Sequence, residues 1–175
     1  MDLFKAVSAR YSYRGAFKPR RIPRRDLVRI VKAGLAAPSG CNAQTTTFVI
    51  VDKPALADKV RKLHEMKAVQ DAPAFIAACV HKNPPPAYGK TSFEVEDCSA
   101  AVENILLAIS ALGYGSVWID GHLREGGRAE KLNRLLGVPA DRTVRILLPV
   151  GLPVSRGPRR KKMPFGRRAG LNRHP

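Results

Sequence analysis

Residues 95–121 read "VEDCSAAVENILLAISALGYGSVWIDG" and contain the strongest helix pattern of the chain. Apolar residues recur at helical spacing from Val95 to Leu112, which predicts the longest helix of the chain. Gly113 follows directly and is typical of the residue that ends a helix. The run "GSVWI" at 115–119 predicts a short strand after it. A long helix followed at once by a strand is therefore the framework around which the other segments are placed.

The segments on either side of this stretch predict further strands that alternate with helices. Apolar residues at helical spacing predict helices over residues 3–7, 23–35, 54–66 and 126–137. Continuous β-branched or apolar runs predict strands over residues 45–52, 73–80 and 143–151. The sequence contains no internal repeat. We therefore expect one α+β or α/β domain spanning residues 1–175, with a short sheet.

The charge of the chain is unusual for its composition. It has 175 residues with 45% hydrophobic and 26% charged content, which suits one globular domain with a real core. The formal net charge of +17 raises the expectation of an anionic partner: nucleic acid, an acidic membrane surface or a phosphorylated ligand. The basic residues cluster at 18–25 and 156–168. The alternative is that both clusters are solvated surface that favours solubility.

The cysteine and histidine positions give no sign of a disulfide framework or a metal site. The three cysteines, Cys41, Cys79 and Cys98, form no C-x-x-C pair, and Cys79 lies in an apolar run typical of a core. The four histidines lack metal-ligand spacing, so no metal is predicted. No signal peptide or membrane-spanning apolar run is recognisable. We expect a soluble, reduced, cytoplasmic protein with no membrane partner.

Residues 10–14 read "RYSYR" and place two arginines on either side of a serine. If this stretch is extended, Arg10, Ser12 and Arg14 point to one face, because side chains alternate along extended chain. They would present two guanidinium groups with a hydroxyl between them. Such a group fits a small anion, and it equally fits a basic surface turn.

Motifs for ordinary acid–base or nucleophilic catalysis are missing from the sequence. There is no G-x-G-x-x-G, no Walker A lysine, no G-x-S-x-G and no H-E-x-x-H. Glu94, Glu96 and Asp97 form no obvious pair with a histidine. We therefore predict no catalytic side chain and expect a reaction whose chemistry belongs to a bound cofactor.

Three segments occur together in a characteristic order: "RYSYR" at 10–14, "APSGCNAQ" at 37–44 and "GYGSVWIDG" at 113–121. With the basic run near the C-terminus, this combination resembles the nitroreductase family, the FMN-dependent NAD(P)H oxidoreductases. The resemblance covers roughly residues 1–165. It implies an α+β sandwich with a small mixed central sheet flanked by helices. It also implies an intertwined homodimer formed through the long helix, with the basic tail 152–175 packed on the partner subunit.

The resemblance also implies cofactor-binding residues. Those expected at the FMN phosphate and ribityl chain are Arg10, Tyr11, Ser12 and Arg14. Those expected to reach the flavin of the other subunit are Pro38, Ser39, Gly40 and Asn42. The pair expected over the N5 edge of the flavin, where the glycine N–H donates, is Asp120 and Gly121. The basic pair expected on the phosphate is Arg160 and Lys162, although any two of the consecutive residues 159–162 fit the pattern.

The implied reaction is ping-pong hydride transfer from NADH or NADPH, through FMN, to a small-molecule acceptor such as a nitroaromatic, a quinone or a flavin. Two alternatives remain: a basic nucleic-acid-binding protein, and a flavin-binding sensor or storage protein without turnover. The sequence departs from the family where Gln44-Thr45-Thr46 replaces Q-P-W. The proline-rich segment 81–92 is either a small lid or a plain surface loop.

Overall fold

A single buried strand, β2 (Ala74–His81), forms the centre of the molecule; the computed structural model describes residues 2–175. Its neighbours are β1 (Thr47–Val51) and β3 (Arg142–Val150). The α-helices of the described residues are α1 (Leu3–Ala9), α2 (Arg24–Leu35), α3 (Pro54–Arg61), α4 (Lys67–Gln70), α5 (Glu94–Ala111) and α6 (Arg128–Leu136). Short 3₁₀ helices cover Gly40–Asn42, Gly121–Arg124 and Phe165–Arg167.

The sheet has the order β1-β2-β3, and both pairings are antiparallel. Because β2 alternates its side chains between two faces, its odd and even residues enter two different cores. Phe75 and Ala77 belong to one apolar cluster, and Ile76 and Ala78 belong to the other. Every residue from Ala74 to Val80 is buried, so helices must cover both faces.

The helices form the two outer layers. On one face of the sheet, α2 and α5 contribute Leu27, Ile30, Val102 and Ile105 to the cluster around Ile76. On the other face, α3, α4 and α6 contribute the buried side chains of the second cluster, which are Ala57, Val60, Ala68, Val69 and Leu132. The predicted α+β sandwich with helices on both sides is therefore confirmed.

The segment 115–119 is not the continuous strand that we expected. It pairs through isolated antiparallel bridges, from Gly115 to Gly151 and from Ile119 to Leu147. A separate bridge joins Ser12 to Ser116 in parallel, but it lies outside the three-stranded sheet, which is antiparallel and not mixed as the resemblance implied. The segment runs beside the end of β3 as an irregular edge of the sheet and not as a regular β-strand.

Two other elements differ from the sequence-based expectation. The helix predicted over residues 54–66 ends at Arg61, because the side-chain amide of Gln70 donates to the carbonyls of Arg61 and His64 and satisfies the end of α3. The predicted apolar stripe on α1 points away from the core: Phe4 is 83% exposed, and only Ala6 of this helix is buried.

The remaining segments are loops. Residues 81–92 form an exposed connection with a tight turn, in which the Thr91 N–H donates to the Tyr88 carbonyl. Residues 152–175 lack α-helix and strand and are largely exposed. Among the described residues, no helix is long and apolar enough to cross a membrane.

Candidate functional site

The segment 10–14 is extended, which is the condition under which the sequence would place Arg10, Ser12 and Arg14 on one face. The Tyr13 N–H donates to the Ser116 carbonyl at 2.8 Å, and Ser12 forms its bridge with Ser116. Tyr13 is 1% exposed, and its hydroxyl donates to the Ala16 carbonyl. Because alternate side chains face opposite ways, burial of Tyr13 leaves Ser12 and Arg14 exposed on the outer side.

The two arginines of this segment have different surroundings. The Arg10 Nε lies 3.1 Å from a carboxylate oxygen of Glu103 on α5, so the guanidinium is held in place. Arg14 is exposed, and within residues 2–175 no acidic side chain pairs with it. The segment therefore offers one oriented and one free guanidinium group for an anion.

A small cleft of about 40 Å³ lies beside this segment. Arg10, Tyr11, Ser110, Tyr114 and Ser116 contribute to its lining. The Ser116 side chain is 3% exposed, and its hydroxyl has no hydrogen-bond partner among the described residues. A buried hydroxyl without a partner is costly, so its presence at the cleft indicates a place where a polar ligand or water completes the structure.

The basic tail returns to this segment through Arg159. Its guanidinium donates to the carbonyls of Ser8 at 3.1 Å and Ala9 at 3.0 Å, at the end of α1. It also lies 5.2 Å from the centre of the Tyr11 ring, a cation–π distance. The Tyr11 hydroxyl in turn accepts a hydrogen bond from the Gly157 N–H at 3.1 Å.

Arg160 and Lys162, the basic pair predicted for the phosphate, are exposed. The structure thus shows which member of the run 159–162 contacts the body of the protein, namely Arg159. The assignment of Arg160 and Lys162 to the phosphate stays a prediction.

Asp120 and Gly121 lie at the far end of the segment that begins beside Ser12. Arg124 donates to both Asp120 carboxylate oxygens at 2.7 Å, and Arg145 lies 3.6 Å from one of them. These hydrogen bonds from Arg124, with the nearby Arg145, lower the pKa of Asp120. The carboxylate therefore stays charged and fixes the turn that carries Gly121.

Gly121 itself is open to the outside. It is exposed, and a Cβ built on it would meet no atom within 4 Å. Its N–H opens a 3₁₀ helix, and within residues 2–175 no group accepts a hydrogen bond from it. Trp118, three residues before it, is half-buried and packs against the cluster of α2 and α5.

The loop 37–44 is anchored to the beginning of α5. The Gly40 N–H donates to the carboxylate of Asp97 at 2.8 Å, and a Cβ on Gly40 would lie 2.3 Å from the Phe93 ring. Cys41, Asn42 and Gln44, which follow Gly40, all have positive φ angles of 50–55°. Three such non-glycine residues in one short loop are strained backbone of a kind that clusters at ligand sites.

This loop and the cleft are well separated within one chain. The loop contacts Asp97 near the start of α5, whereas the cleft contacts Leu106 and Ser110 near its end. At 1.5 Å per residue, these positions are about 14–20 Å apart along the helix. Pro38, Ser39, Gly40 and Asn42 are therefore not brought together with Arg10 and Ser12 in a single chain.

Comparison with known proteins identifies the family of this chain. The family model described as "Nitroreductase family" matches residues 7–152. The chain belongs to the nitroreductase family. A protein of Archaeoglobus fulgidus named "Putative NADH dehydrogenase/NAD(P)H nitroreductase" is 34% identical over 87% of this chain and 86% of its own length. One of the same name from Methanothermobacter thermautotrophicus is 32% identical over 87% and 78%, respectively.

The fold agrees with that of a solved nitroreductase. The structure described as an FMN-dependent nitroreductase from Clostridium difficile R20291 superposes with a TM-score of 0.80. It is 22% identical and covers 97% of this chain and 99% of its own. The expected nitroreductase-like fold is confirmed by this likeness and by the family match.

The sequence did not reveal one acid–histidine pair of this nitroreductase-family chain. Glu94, 5% exposed, accepts hydrogen bonds from the His81 backbone N–H at 2.7 Å and from its Nδ1 at 3.1 Å. Arg142 lies 2.8 Å from the other ring nitrogen, Nε2. Because both ring nitrogens are occupied, His81 has none free to act as a general base.

Two of the three cysteines of this family member are buried, among them Cys79, for which the apolar run predicts a core position. Cys79 is 2% and Cys98 is 1% exposed. Burial raises the pKa of Cys79 to about 11 and that of Cys98 to about 12, so both remain thiols at neutral pH. Cys41 is exposed in the strained loop.

The sequence also did not reveal that Asp97 anchors the loop 37–44 or that the Ser116 hydroxyl lacks a partner. Nor did it distinguish Arg159 from its basic neighbours as the residue that contacts the body of the protein. Asp97 lies in the first turn of the longest helix, where acidic residues are common for electrostatic reasons, so nothing marked it as a loop anchor. Ser116 stands inside a recognised motif, but only burial shows that its hydroxyl lacks a partner.

Proposed function

We propose that this chain is an FMN-dependent oxidoreductase that transfers a hydride from NADH or NADPH, through the flavin, to a small-molecule acceptor. The observation that carries the proposal is the segment 115–121. At one end it pairs with Ser12 of the arginine-bearing stretch, and at the other it presents the unpartnered N–H of Gly121. One segment thus lies beside the arginine-bearing stretch and ends in an N–H without an acceptor among the described residues.

The residues at the first end fit a phosphate dianion. Arg10 is oriented by Glu103, Arg14 is free, and the exposed Ser12 supplies a hydroxyl beside them. Ser116 lines the same cleft, and its buried hydroxyl has no hydrogen-bond partner among the described residues. Guanidinium groups and hydroxyls are the donors that phosphate groups prefer, so these four residues would hold the phosphate and ribityl end of FMN.

The residues at the second end fit the ring. Gly121 has open space around it and a free N–H, which suits a planar ring that needs a donor near N5. Asp120, held by Arg124, keeps this turn in place. The flavin, when bound, supplies the hydride chemistry. The protein supplies orientation and the donor, and no side-chain base is needed.

We infer that the working form is a homodimer. The cleft of about 40 Å³ is far too small for a flavin, which is what half of a shared site would leave on one chain. If two α5 helices pair antiparallel about a twofold axis, the loop 37–44 of one subunit faces the cleft of the other. The exposed apolar side chains of Leu3, Phe4 and Val7 provide further surface for burial. The tail 152–175 would pack on the partner subunit.

The decisive experiment measures flavin binding by a double variant, Arg10→Ala with Arg14→Ala. The matched control is Arg20→Ala with Arg21→Ala, which removes two exposed charges from the cluster 18–25. Wild type and control should purify with yellow FMN or take it up, whereas the double variant should not. All three should show the same circular dichroism. Equal loss of flavin in both variants would mean that overall charge, not this stretch, attracts the cofactor.

Turnover is tested on the FMN-loaded wild type. Anaerobic addition of NADH or NADPH should bleach the flavin absorbance, and a nitroaromatic or quinone should restore it. Colour without bleaching would support a flavin-binding sensor or storage protein. Salt-sensitive binding to generic DNA by a protein that takes up no FMN would support the nucleic-acid-binding alternative.

A further inference from the structure

Two histidines outside the groups described above are in contact in an unusual way. The rings of His64 and His122 have centroids 5.2 Å apart at an interplanar angle of 43°. His64 is 2% exposed, yet both of its ring nitrogens lack a hydrogen-bond partner among the described residues, as does Nε2 of His122. Buried polar atoms without partners are rare enough that each calls for an explanation.

The position of His122 connects this pair to the candidate site. His122 directly follows Gly121 in the 3₁₀ helix Gly121–Arg124. The Leu123 N–H donates to the Asp120 carbonyl at 2.9 Å, so Asp120, Gly121 and His122 share one tight turn. His64 lies between α3 and α4, where its carbonyl accepts a hydrogen bond from Gln70. The turn is thus held by the Asp120–Arg124 pair and contacted through His122 by the ring of His64.

A metal ion does not explain the pair. Among residues 2–175, no group of three or more His, Cys, Asp or Glu side chains is arranged to hold a metal, and two imidazoles alone make a poor site. The cationic Arg128 acts on His64 as well, which disfavours a bound cation. The contact is better explained as packing between the two rings than as a metal site.

We propose that His64 is a positioning residue: its uncharged ring supports His122 and thereby fixes the N–H of Gly121 for the flavin. This inference rests on the proposed function and deepens it.

The electrostatic surroundings support an uncharged ring. Burial, followed by His122 and then Arg128, lowers the pKa of His64 from 6.5 to about 4. His122 faces it from the 3₁₀ helix and Arg128 from the start of α6, while α4 presents the neutral Gln70. A proton on His64 would therefore be a buried charge without an acidic partner. Acidification should separate the two rings and release the turn.

Two variants separate the support given by the ring from its titration. His64→Phe keeps an aromatic ring that cannot be protonated, and His64→Ala removes the ring. The control is Val60→Ala, which opens a cavity at a fully buried α3 position in the same layer. Each protein is titrated with FMN by flavin fluorescence from pH 7.5 down to 3.5, which extends below the pKa of His64 of about 4, within the range where circular dichroism shows it folded. Emission of Trp118, the only tryptophan, reports on the segment 115–121 without cofactor.

The expected results are specific. At pH 7.5, His64→Ala should bind FMN about tenfold more weakly, as after the loss of one well-placed hydrogen bond, while Val60→Ala should match wild type. In apo protein, His64→Ala should shift the Trp118 emission and Val60→Ala should not. On acidification, wild type should lose FMN affinity more steeply than His64→Phe. The phosphate of FMN titrates in the same way with wild type and with His64→Phe. The difference between their pH profiles is therefore due to protonation of the His64 ring.

The inference is overturned if His64→Ala binds FMN like wild type, or if His64→Phe has the wild-type pH profile. Failure of wild type to bind FMN at pH 7.5 would instead refute the proposed function. In that case the Trp118 emission of the apo variants still decides whether His64 positions the segment: identical emission in His64→Ala and wild type would reject it.

Discussion

Arg159 in the basic tail makes contacts that predict a measurable effect on stability. Its guanidinium donates to two carbonyls of α1, those of Ser8 and Ala9, and lies over the Tyr11 ring. Each hydrogen bond contributes about 0.5–1.5 kcal/mol and an exposed cation–π contact about 0.5–1 kcal/mol. Since Arg159 is exposed, the lower ends apply. Arg159→Ala should therefore cost about 1.5 kcal/mol of the free energy of unfolding.

The assay is thermal and urea denaturation followed by circular dichroism. In a chain of this size, about 1.5 kcal/mol lowers Tm by about 3–6 °C. Arg160→Ala is the matched control, because it removes the neighbouring exposed arginine; its cost should stay within about 0.5 kcal/mol.

The two variants also separate stability from cofactor binding. If Arg160 contacts the FMN phosphate, as the family resemblance implies, Arg160→Ala should weaken flavin binding without changing Tm. Equal Tm values for the two variants would refute the assignment of Arg159 as the residue that fastens the tail. A larger loss of stability in Arg160→Ala would refute it more strongly.

Three further predictions concern single buried contacts. Gly151→Ala should destabilise by about 2 kcal/mol in urea unfolding, because the new Cβ would lie 2.5 Å from the Phe17 ring. Asp97→Ala should leave the Gly40 N–H without an acceptor, and hydrogen exchange at that amide should become faster. The pKa of His64 is about 4 in the folded protein and 6.5 in the unfolded chain. Between these pH values the unfolded chain therefore binds more protons than the folded protein. The free energy of unfolding should therefore fall by about 3 kcal/mol from about pH 7 to about pH 4, and a flat profile would contradict this.

The layers of this fold were predictable because their signals are local. The apolar spacing of residues 95–112 predicts α5 to within one residue at each end, since burial on one face fixes the period. The buried runs that became β2 and β3 were equally clear. By contrast, α3 ends early because Gln70, several residues downstream, bonds its last carbonyls, and no local pattern reveals that contact.

The sequence motifs of the candidate site could be predicted, but the tertiary contacts that its residues make could not. Four consecutive cations at 159–162 look alike in sequence, and only the packing of one of them on Tyr11 distinguishes Arg159. Glu94 and His81 are 13 residues apart and meet because the end of β2 and the start of α5 lie side by side. The contact between His64 and His122 joins segments from opposite sides of β2 in the sequence, so it follows from tertiary packing alone.

The contacts that frame residues 10–17 have a consequence for synthesis of the protein on the ribosome. Tyr11 bonds Gly157, 146 residues later, and Phe17 forms a bridge with Pro153. Residues 10–17 therefore wait for residues 153–157 before their surroundings exist, and long-range closures of this kind form late. The nascent chain can build α2, β1 and β2 while residues 10–17 remain without these partners. Any flavin that binds there must enter after residues 153–157 have been made.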